Sequence, residues 1–411
     1  MTRKLDVFLG PDKVGMLEQD RHGALWFAYD GAWLENEHAA PVSASLPLRA
    51  KRYHSRDCRP FFAGLLPEEL SRQRVAERFG VSERNDFALL EKIGAECAGA
   101  VSLLPPGELP QTGLARYRKL DVTKLEGKLQ SLPQSPLLVG EEGIRLSLAG
   151  AQGKAVLAMR GADFLLPMDG SPSTHILKPA SGSFLDLVEN EFFCMRLADA
   201  LGIKVARVEL GEAGAIRFLQ ITRYDRQEAD DGSWERIHQE DFCQALGIAP
   251  ELKYQEEGGP RLNDCFDLVR QRCDAPAPDV LRLFDAVVLN FLIGNNDAHG
   301  KNFSLIHEKG QTRLAPLYDL VSTEQYPELS ANMAMRIGRA KTANEVTSKD
   351  WLALFQGAGL GPAMAIRRMH KMANDARLRS IQLIKTVPMA SGVMQIISRR
   401  AAAILALRVG N

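Results

Sequence analysis

The stretch Gly294-Asn-Asn-Asp-Ala-His-Gly-Lys-Asn-Phe303 directly follows an apolar segment that ends at Ile293. Within this stretch, Asp297 and Asn302 have the spacing of a kinase catalytic loop, where the Asp accepts the proton of the substrate hydroxyl and the Asn binds Mg²⁺. Seventeen residues further on, Asp319 ends a short apolar run, as the metal-binding Asp of a kinase does. Proteins usually bind Mg²⁺ through one carboxylate, one amide and the phosphates of the substrate. An Asp- and Asn-rich loop after a helix is more often only a turn that these side chains stabilise. The hypothesis of a kinase catalytic loop therefore depends on the surrounding sequence.

A lysine upstream of the loop supports the kinase hypothesis. Lys178 ends the extended run Ser173-Thr-His-Ile-Leu-Lys and precedes Pro179, which stops strand pairing. Kinases use a lysine on a strand to contact the nucleotide phosphates. A solvated lysine on an edge strand is the commoner case, but the order Lys178, Asp297, Asn302 and Asp319 favours the functional interpretation.

A candidate phosphate loop precedes Lys178. The sequence Ser147-Leu-Ala-Gly-Ala-Gln-Gly-Lys154 lies between two strand-like runs, and its small residues let backbone N–H groups approach phosphate oxygens. It is neither a Walker A motif, because Ala155 stands where a Ser or Thr is needed, nor the kinase G-x-G-x-x-G motif. A simple hairpin turn is the alternative.

Length and composition are those of an ordinary globular protein. The chain has 411 residues, 45% of them hydrophobic and 25% charged, which suggests two or three domains. The six cysteines form no C-x-x-C pair and are expected to be reduced thiols, which favours the cytoplasm. We find no secretion signal and no apolar segment of about 20 residues, so we expect no membrane association.

The charge is balanced overall but unevenly distributed. Lys and Arg number 51, as do Asp and Glu, so the formal net charge is zero, which excludes a protein uniformly coated in positive charge. Residues 225–267 hold twelve acidic against four basic side chains, and residues 361–411 hold nine basic side chains against Asp375 alone. The basic C-terminal segment is either a solvated face or a surface that approaches DNA phosphates.

Apolar spacing predicts a chain that starts with strands and ends with helices. Residues 1 to about 50 alternate as a small β-rich module, and residues 67–93 have helical spacing. Strands are predicted at 144–148, 154–159, 175–178, 205–210 and 218–224. Helices are predicted at 189–200, 285–293, 349–357, 361–379 and 390–409, with a loop at 294–319.

Taken in order, these segments resemble the HipA family, the serine/threonine kinase toxins of bacterial toxin–antitoxin pairs. The resemblance covers most of the chain and is weakest over the last sixty residues. The segments that carry it are Ser43 to Leu48, Ile93-Gly, Gly99-Ala-Val, Ser147 to Lys154, Thr174-His-Ile-Leu-Lys, Asn190-Glu-Phe-Phe-Cys, Gln239 to Gly247, Lys253-Tyr with Gly258-Gly-Pro, Gly294 to Ser304 and Leu317-Tyr-Asp.

The resemblance implies an α+β fold with a protein-kinase/phosphatidylinositol-kinase-like core. A β-rich N-terminal subdomain (1–105), a nucleotide-binding lobe with phosphate loop and hinge (106–240) and a mostly helical C-terminal lobe (241–411) are expected. Asp297 would be the catalytic base, and Asn302 and Asp319 would bind Mg²⁺. Residues implied to contact ATP are Ala149, Gly150, Ala151, Gln152, Gly153, Lys154, Lys178, Thr222, Arg223, Tyr224, Gln239, His299, Gly300, Lys301, Asn302 and Tyr318. Many relatives have Glu at the position of Thr222, so the hinge is expected to contact adenine through its main chain.

The resemblance also implies regulation and partners. Ser147 matches the serine that the family autophosphorylates, and a phosphate there would repel those of ATP, expel the loop and stop activity. A helix-turn-helix antitoxin (HipB-like) is the expected partner and would bring the kinase to operator DNA. The expected protein substrate is an aminoacyl-tRNA synthetase, with glutamyl-tRNA synthetase as the first guess, and its phosphorylation would halt translation and promote growth arrest and persistence.

Two other functions are compatible with the residues. A small-molecule kinase would share Asp297, Asn302 and Asp319. A non-catalytic corepressor scaffold would not need them, so the presence of all these residues together with Lys178 argues against it.

Overall fold

The protein is an α+β structure of mainly antiparallel strands and many helices. A computed structural model describes residues 2–111, 115–139, 143–150, 152–180 and 184–408. In this part of the chain the strands are β1 (Arg3–Leu9), β2 (Asp12–Gln19), β3 (Leu25–Tyr29), β4 (Tyr53–His54), β5 (Val101–Leu104), β6 (Tyr117–Leu120), β7 (Ala155–Arg160), β8 (Asp163–Pro167), β9 (His175–Pro179), β10 (Val208–Ala213), β11 (Ile216–Thr222), β12 (Arg226–Glu228), β13 (Trp234–Arg236), β14 (His238–Asp241), β15 (Ser304–Glu308) and β16 (Gln311–Leu314). The α-helices are α1 (Gly31–Leu34), α2 (Ser55–Gly64), α3 (Glu69–Phe79), α4 (Asp86–Ile93), α5 (Val122–Ser131), α6 (Leu187–Ala200), α7 (Phe242–Leu246), α8 (Leu262–Arg272), α9 (Pro276–Ile293), α10 (Ser348–Ala358), α11 (Pro362–Leu383) and α12 (Ser391–Leu405).

The chain divides into two compact units. The first comprises the described residues of 1–179, 211–250 and 306–309, and the second those of 180–210, 251–305 and 310–411. The first unit contains most of the strands and the second most of the long helices. The three-domain division at residues 105 and 240 stays a prediction.

The two largest sheets of the described residues lie mainly in the first unit. One has the strand order β4-β3-β2-β1-β5, and the other has the order β10-β11-β9-β7-β8-β6. Side chains of β1 such as Leu5 and Val7 are fully buried, as are Leu157 of β7 and Leu177 of β9. These residues belong to one apolar cluster, so the core of this unit continues from the first sheet into the second.

The second unit is organised around α9. Thirteen of its eighteen residues are buried, which is the pattern of a helix covered on nearly all sides. Its Asp285 pairs with Arg368 of α11, and Phe284 packs edge-on against Phe355 of α10. The helix therefore holds the segment that follows it, residues 294–302, in a defined position.

Most of the predicted elements are present with small shifts at their ends, but α9 begins at Pro276, nine residues before the predicted helix 285–293. The helices predicted at 189–200, 349–357 and 361–379 are α6, α10 and α11. The helical region 67–93 is two helices, since Gly80 takes a left-handed φ of 63° and ends α3.

Two sequence predictions are wrong. The strand predicted at 144–148 is reduced to an isolated bridge between Leu146 and Glu96, because this segment pairs at one position only. The predicted loop 294–319 contains the hairpin β15–β16, whose turn is Lys309-Gly310. Both turn residues have positive φ, 51° and 73°, as a two-residue hairpin turn with the right twist requires.

Candidate active site

The predicted catalytic loop begins where α9 ends. Gly294 caps the helix with a left-handed φ of 69°, and the Asn295 amide donates to the Asn290 carbonyl at 2.9 Å, a bond typical of glycine-capped helices. A Cβ at Gly294 would lie within 3 Å of Glu324 and Ile396, so a larger residue does not fit there. The helix stop is thus encoded locally by glycine.

Hydrogen bonds within the loop fix its shape around Asp297. The Asp297 amide donates to the Asn295 side chain (3.1 Å), which makes a turn typical of Asn. The Asp297 carbonyl accepts bonds from the His299 amide (2.8 Å) and from the Asn302 side-chain NH₂ (3.1 Å). Gly300–Asn302 forms a single 3₁₀ turn that brings Asn302 back to Asp297. The two residues predicted as base and metal ligand are therefore adjacent.

Asp319 is held close to the same loop by the residue before it. The Tyr318 hydroxyl donates to the Lys301 carbonyl at 2.7 Å and lies 2.7 Å from the Ser304 hydroxyl. Asp319 itself has a φ of 58°, a left-handed conformation that is uncommon for a residue other than glycine and is often found at functional sites.

The residues present fit a magnesium site. In the described part of the chain no cluster of three or more His, Cys, Asp or Glu side chains could hold a metal alone. Mg²⁺ at a nucleotide site needs no such cluster, because substrate phosphates and water complete its shell of oxygen ligands. Because the Asn302 NH₂ is engaged with Asp297, the amide oxygen is the atom suited to a cation.

The candidate phosphate loop lies in the first unit. Ser147 is fully buried; its amide donates to the Glu96 carbonyl (2.8 Å), and its hydroxyl donates to the Leu65 carbonyl (2.7 Å). Gly150 has a φ of 110°, a conformation that glycine adopts without strain. Ala151 lies outside the described residues, and Gln152 and Gly153 are half-buried.

Two lysines meet at one end of the second sheet. Ala155 of β7 pairs with Leu177 of the antiparallel strand β9. Lys154, which precedes Ala155, and Lys178, which follows Leu177, therefore lie at the same end of the sheet. Both are buried, and the Lys154 ammonium donates to the Ala149 carbonyl at 2.6 Å. Two buried cations beside a loop of small residues form a site suited to phosphate groups.

The structure also brings together the predicted hinge residues and Gln239. Thr222 pairs with His175 across β11 and β9, and its hydroxyl lies 3.3 Å from the His175 ring nitrogen Nε2. The Tyr224 hydroxyl donates to the Gln239 side-chain carbonyl. The Arg223 amide donates to the Thr174 carbonyl at 2.9 Å, so it already has a partner.

A buried ion cluster behind the hinge was missed in the sequence. Glu96 accepts hydrogen bonds from Arg223 (3.2 Å) and Arg226, and Asp225 accepts one from Arg223 at 2.8 Å. Burial alone would raise the pKa of both carboxyls, but the neighbouring guanidinium groups hold both pKa values below their usual range. Burial, together with the charge of Arg226, lowers the pKa of Arg236 to about 10. These ion pairs hold the predicted hinge residue Arg223 and nearby Asp225 in the interior of the first unit.

The predicted site residues therefore form two groups. In the first unit are Ser147, the described residues of the phosphate loop, Lys178, the hinge and Gln239. In the second unit are Asp297, His299, Gly300, Lys301, Asn302, Tyr318 and Asp319. Tyr254, whose hydroxyl donates to Asp297 at 2.9 Å, was assigned no role from the sequence. Its position beside Gly258-Gly-Pro in a family segment was the only signal.

Two family models and known relatives match most of this chain. A family model for the HipA-like C-terminal domain matches residues 146–379, and one for the HipA N-terminal domain matches residues 5–104. The serine/threonine-protein kinase toxin HipA of Shewanella oneidensis is 30% identical over 94% of this chain and 90% of its own length. The protein Y4mE of Sinorhizobium fredii is 48% identical over 91% of this chain and 90% of its own length.

A solved structure extends the similarity to the fold. In the complex of Shewanella oneidensis HipA with HipB and operator DNA, a chain 28% identical in sequence superposes with a TM-score of 0.84. The match covers 98% of this chain and all of that one. Fold and sequence together define the class of this protein as a serine/threonine kinase. The chain belongs to the HipA family.

Proposed function

We propose that the protein transfers the γ-phosphoryl group of ATP to a serine or threonine hydroxyl of another protein, with Asp297 as the catalytic base. The observation that carries this proposal is the hydrogen bond from the Asn302 side chain to the Asp297 carbonyl. It holds Asn302, whose amide oxygen is suited to bind a cation, beside the main chain of Asp297, whose carboxylate is suited to accept a proton. In phosphoryl transfer, positioning and charge stabilisation supply most of the catalysis.

The remaining site residues have roles that fit this reaction. Asn302 and Asp319 would hold Mg²⁺, which neutralises phosphate charge when bound. Lys154, Lys178 and the loop of residues 149–154 would bind phosphates. The hinge residues Thr222, Arg223 and Tyr224, with Gln239, would surround adenine, and His299, Gly300, Lys301 and Tyr318 would line the nucleotide site. The buried ion cluster supports the hinge role, because it fixes residues 223–226.

Membership of the HipA family supports a toxin role in the cytoplasm. The partner would be a helix-turn-helix antitoxin that brings the kinase to operator DNA and represses the operon with it. The protein substrate would be an aminoacyl-tRNA synthetase, with glutamyl-tRNA synthetase as the first candidate. Its phosphorylation would halt translation and promote persistence. In the described part of the chain, no helix is both long and apolar enough to cross a membrane.

Autophosphorylation at Ser147 would regulate the kinase. The Ser147 side chain is fully buried against the Leu65 carbonyl, so a phosphate could not be accommodated in this conformation. The modified segment would have to leave its place, which removes the phosphate loop beside it.

Asp297→Asn tests the chemistry. We expect the variant to lose about 10²–10⁴-fold in the rate of ³²P transfer from Mg-ATP, because the amide cannot accept the proton. Purified kinase is incubated with labelled ATP, alone and with a bacterial protein extract as acceptor. Asp375→Asn, which removes a half-buried carboxylate of α11 paired with Lys371, is the matched control and should keep full activity.

Three results would contradict the proposed protein kinase activity. Label transfer by Asp297→Asn at the wild-type rate would exclude this base. Growth arrest by that variant as strong as by wild type would favour a non-catalytic scaffold. ATP consumption with no labelled protein would favour a small-molecule kinase.

A further inference from the structure

The loop of residues 252–260 is tightly folded and carries Tyr254. Gly258 has a φ of 101°, and the Gly259 amide donates to the Tyr254 carbonyl at 2.9 Å. A Cβ at Gly259 would lie 2.3 Å from the Leu252 carbonyl oxygen, so only glycine allows this close approach. The two glycines of the segment therefore determine where Tyr254 is placed.

Backbone hydrogen bonds join this loop to the catalytic loop through one residue. The Gln255 amide donates to the Ala334 carbonyl (3.0 Å), and the Ala334 amide donates to the Asn296 carbonyl (2.7 Å). The Gln255 side chain also accepts a bond from the Arg336 amide at 2.8 Å. Because main-chain groups make both links through Ala334, residues 254–255 and 296–297 are held in register by the backbone.

The Tyr254 side chain is held in one orientation. Its hydroxyl donates to Asp297 Oδ1 at 2.9 Å, and its ring meets the His299 ring edge-on, with centroids 5.4 Å apart. The Lys253 ammonium lies 5.4 Å from the Tyr254 ring centroid, within the range of a cation–π contact. A phenol donor to a carboxylate is a charge-assisted hydrogen bond, which is stronger than one between neutral groups.

We propose that Tyr254 is a positioning residue, which holds the carboxylate of Asp297 in the orientation needed to accept a proton from the protein substrate. This role rests on the proposed kinase function. The reaction depends on how well the base is aligned, since a misplaced group costs rate without altering substrate binding. Tyr254 acts on the substrate only through Asp297.

The test compares Tyr254→Phe, Asp297→Asn and the double variant. Phenylalanine keeps the ring packed on His299 and removes only the hydroxyl. We expect kcat for ³²P transfer from Mg-ATP to a bacterial protein extract to fall about tenfold, as loss of one charge-assisted bond implies, with KM for ATP unchanged. Since Tyr254 acts through Asp297, adding Tyr254→Phe to Asp297→Asn should cause no further loss.

Two further measurements separate positioning from a general structural effect. Tyr326→Phe is the matched control and should leave kcat unchanged. It removes the hydroxyl of a buried tyrosine in the same unit, which donates to the Leu185 carbonyl and accepts from the Asn190 side chain. The shift in thermal unfolding temperature caused by Mg-ADP should be the same in Tyr254→Phe and in wild type, which also establishes that the variant is folded.

The outcomes are distinct. Wild-type kcat in Tyr254→Phe, or losses that multiply in the double variant, would overturn the positioning role while the kinase function stands. If Mg-ADP no longer raises the thermal unfolding temperature of Tyr254→Phe, the positioning role is also overturned, because Tyr254 would then support the fold or the nucleotide site. If the wild-type protein transfers no ³²P label, the proposed function is overturned, and with it the role of Tyr254.

Discussion

At the scale of single residues, the surroundings of partly buried His238 disfavour a positive charge on its ring. Its Nε2 lies 2.9 Å from the Val42 carbonyl, and its ring stacks on that of His307 with centroids 5.2 Å apart. Burial, followed by the nearby His307, lowers the pKa of His238 to about 4. This imidazole therefore stays neutral at neutral pH in the folded protein.

The free energy of unfolding should fall as the pH drops from about 6.5 to 4. In that window the unfolded chain binds a proton at His238 and the folded protein does not, so acid favours unfolding by up to about 1.4 kcal/mol per pH unit. We expect His238→Gln, which can still donate to Val42, to flatten this slope. Urea denaturation at a series of pH values measures it.

His38→Gln is the control for this measurement. His38 is 85% exposed, and the variant should retain the wild-type slope. An unchanged slope in His238→Gln would mean that the pH dependence has another source.

At the scale of secondary structure, the basic residues of the C-terminal segment fall into two sets. Arg368, Arg399 and Arg400 pair with the acidic side chains of Asp285 and Glu324, and Lys371 pairs with Asp375. The exposed basic side chains for which no acidic partner is seen in the described residues are Arg367, Arg377, Arg379, Lys385 and Arg408. Some of the basic side chains are thus held in ion pairs, and the others lie on the surface around α11.

Charge reversal on α11 tests the DNA-contact hypothesis. In a complex with the antitoxin, Arg377→Glu with Arg379→Glu should weaken operator binding and lower the slope of log affinity against log salt by about 2, because two phosphate contacts are lost. Kinase activity should not change. Fluorescence anisotropy with labelled operator DNA at several salt concentrations measures both quantities.

The matched control carries the same change of charge elsewhere. Arg339→Glu with Lys349→Glu reverses two exposed residues of the same unit outside α11. Equal operator affinity in both double variants would identify the α11 surface as a solvated face without a role in DNA binding.

At the scale of the whole molecule, nucleotide and metal should stabilise the protein together. A ligand that binds only the folded state, at 100 times its Kd, adds about 2.7 kcal/mol to the free energy of unfolding. We therefore expect a non-hydrolysable ATP analogue with Mg²⁺ to raise Tm more than the same analogue with EDTA. Differential scanning fluorimetry gives this difference.

The Mg²⁺-dependent part of the Tm shift should depend on Asp319. Asp319→Asn removes the proposed carboxylate ligand of Mg²⁺, so the shifts with Mg²⁺ and with EDTA should become similar. A full Mg²⁺-dependent shift in this variant would exclude Asp319 as a ligand. Absence of any shift in wild type would contradict the nucleotide site itself.

The sequence by itself determined the features that depend on neighbouring residues. Gly294 stops α9 and Asn295 shapes the turn before Asp297, so the catalytic loop was predictable from ten consecutive residues. Apolar periodicity located helices such as α6, α10 and α11 and strands such as β7, β9 and β11, but it missed others, among them α8 and β8. The order of the motifs indicated the HipA family and its α+β fold. The short hairpin β15–β16 was missed because residues 294–319 were interpreted as one loop.

Tertiary structure alone decided the contacts between residues far apart in the chain. Tyr254 and Asp297 are 43 residues apart, and Glu96 and Arg223 are 127 apart, yet each pair is hydrogen-bonded. No periodicity or spacing encodes such pairs, because they arise only when separate segments pack and buried polar groups must find partners. The sequence therefore identified which residues could carry the chemistry, and the packing of the chain decided which other residues hold them in place.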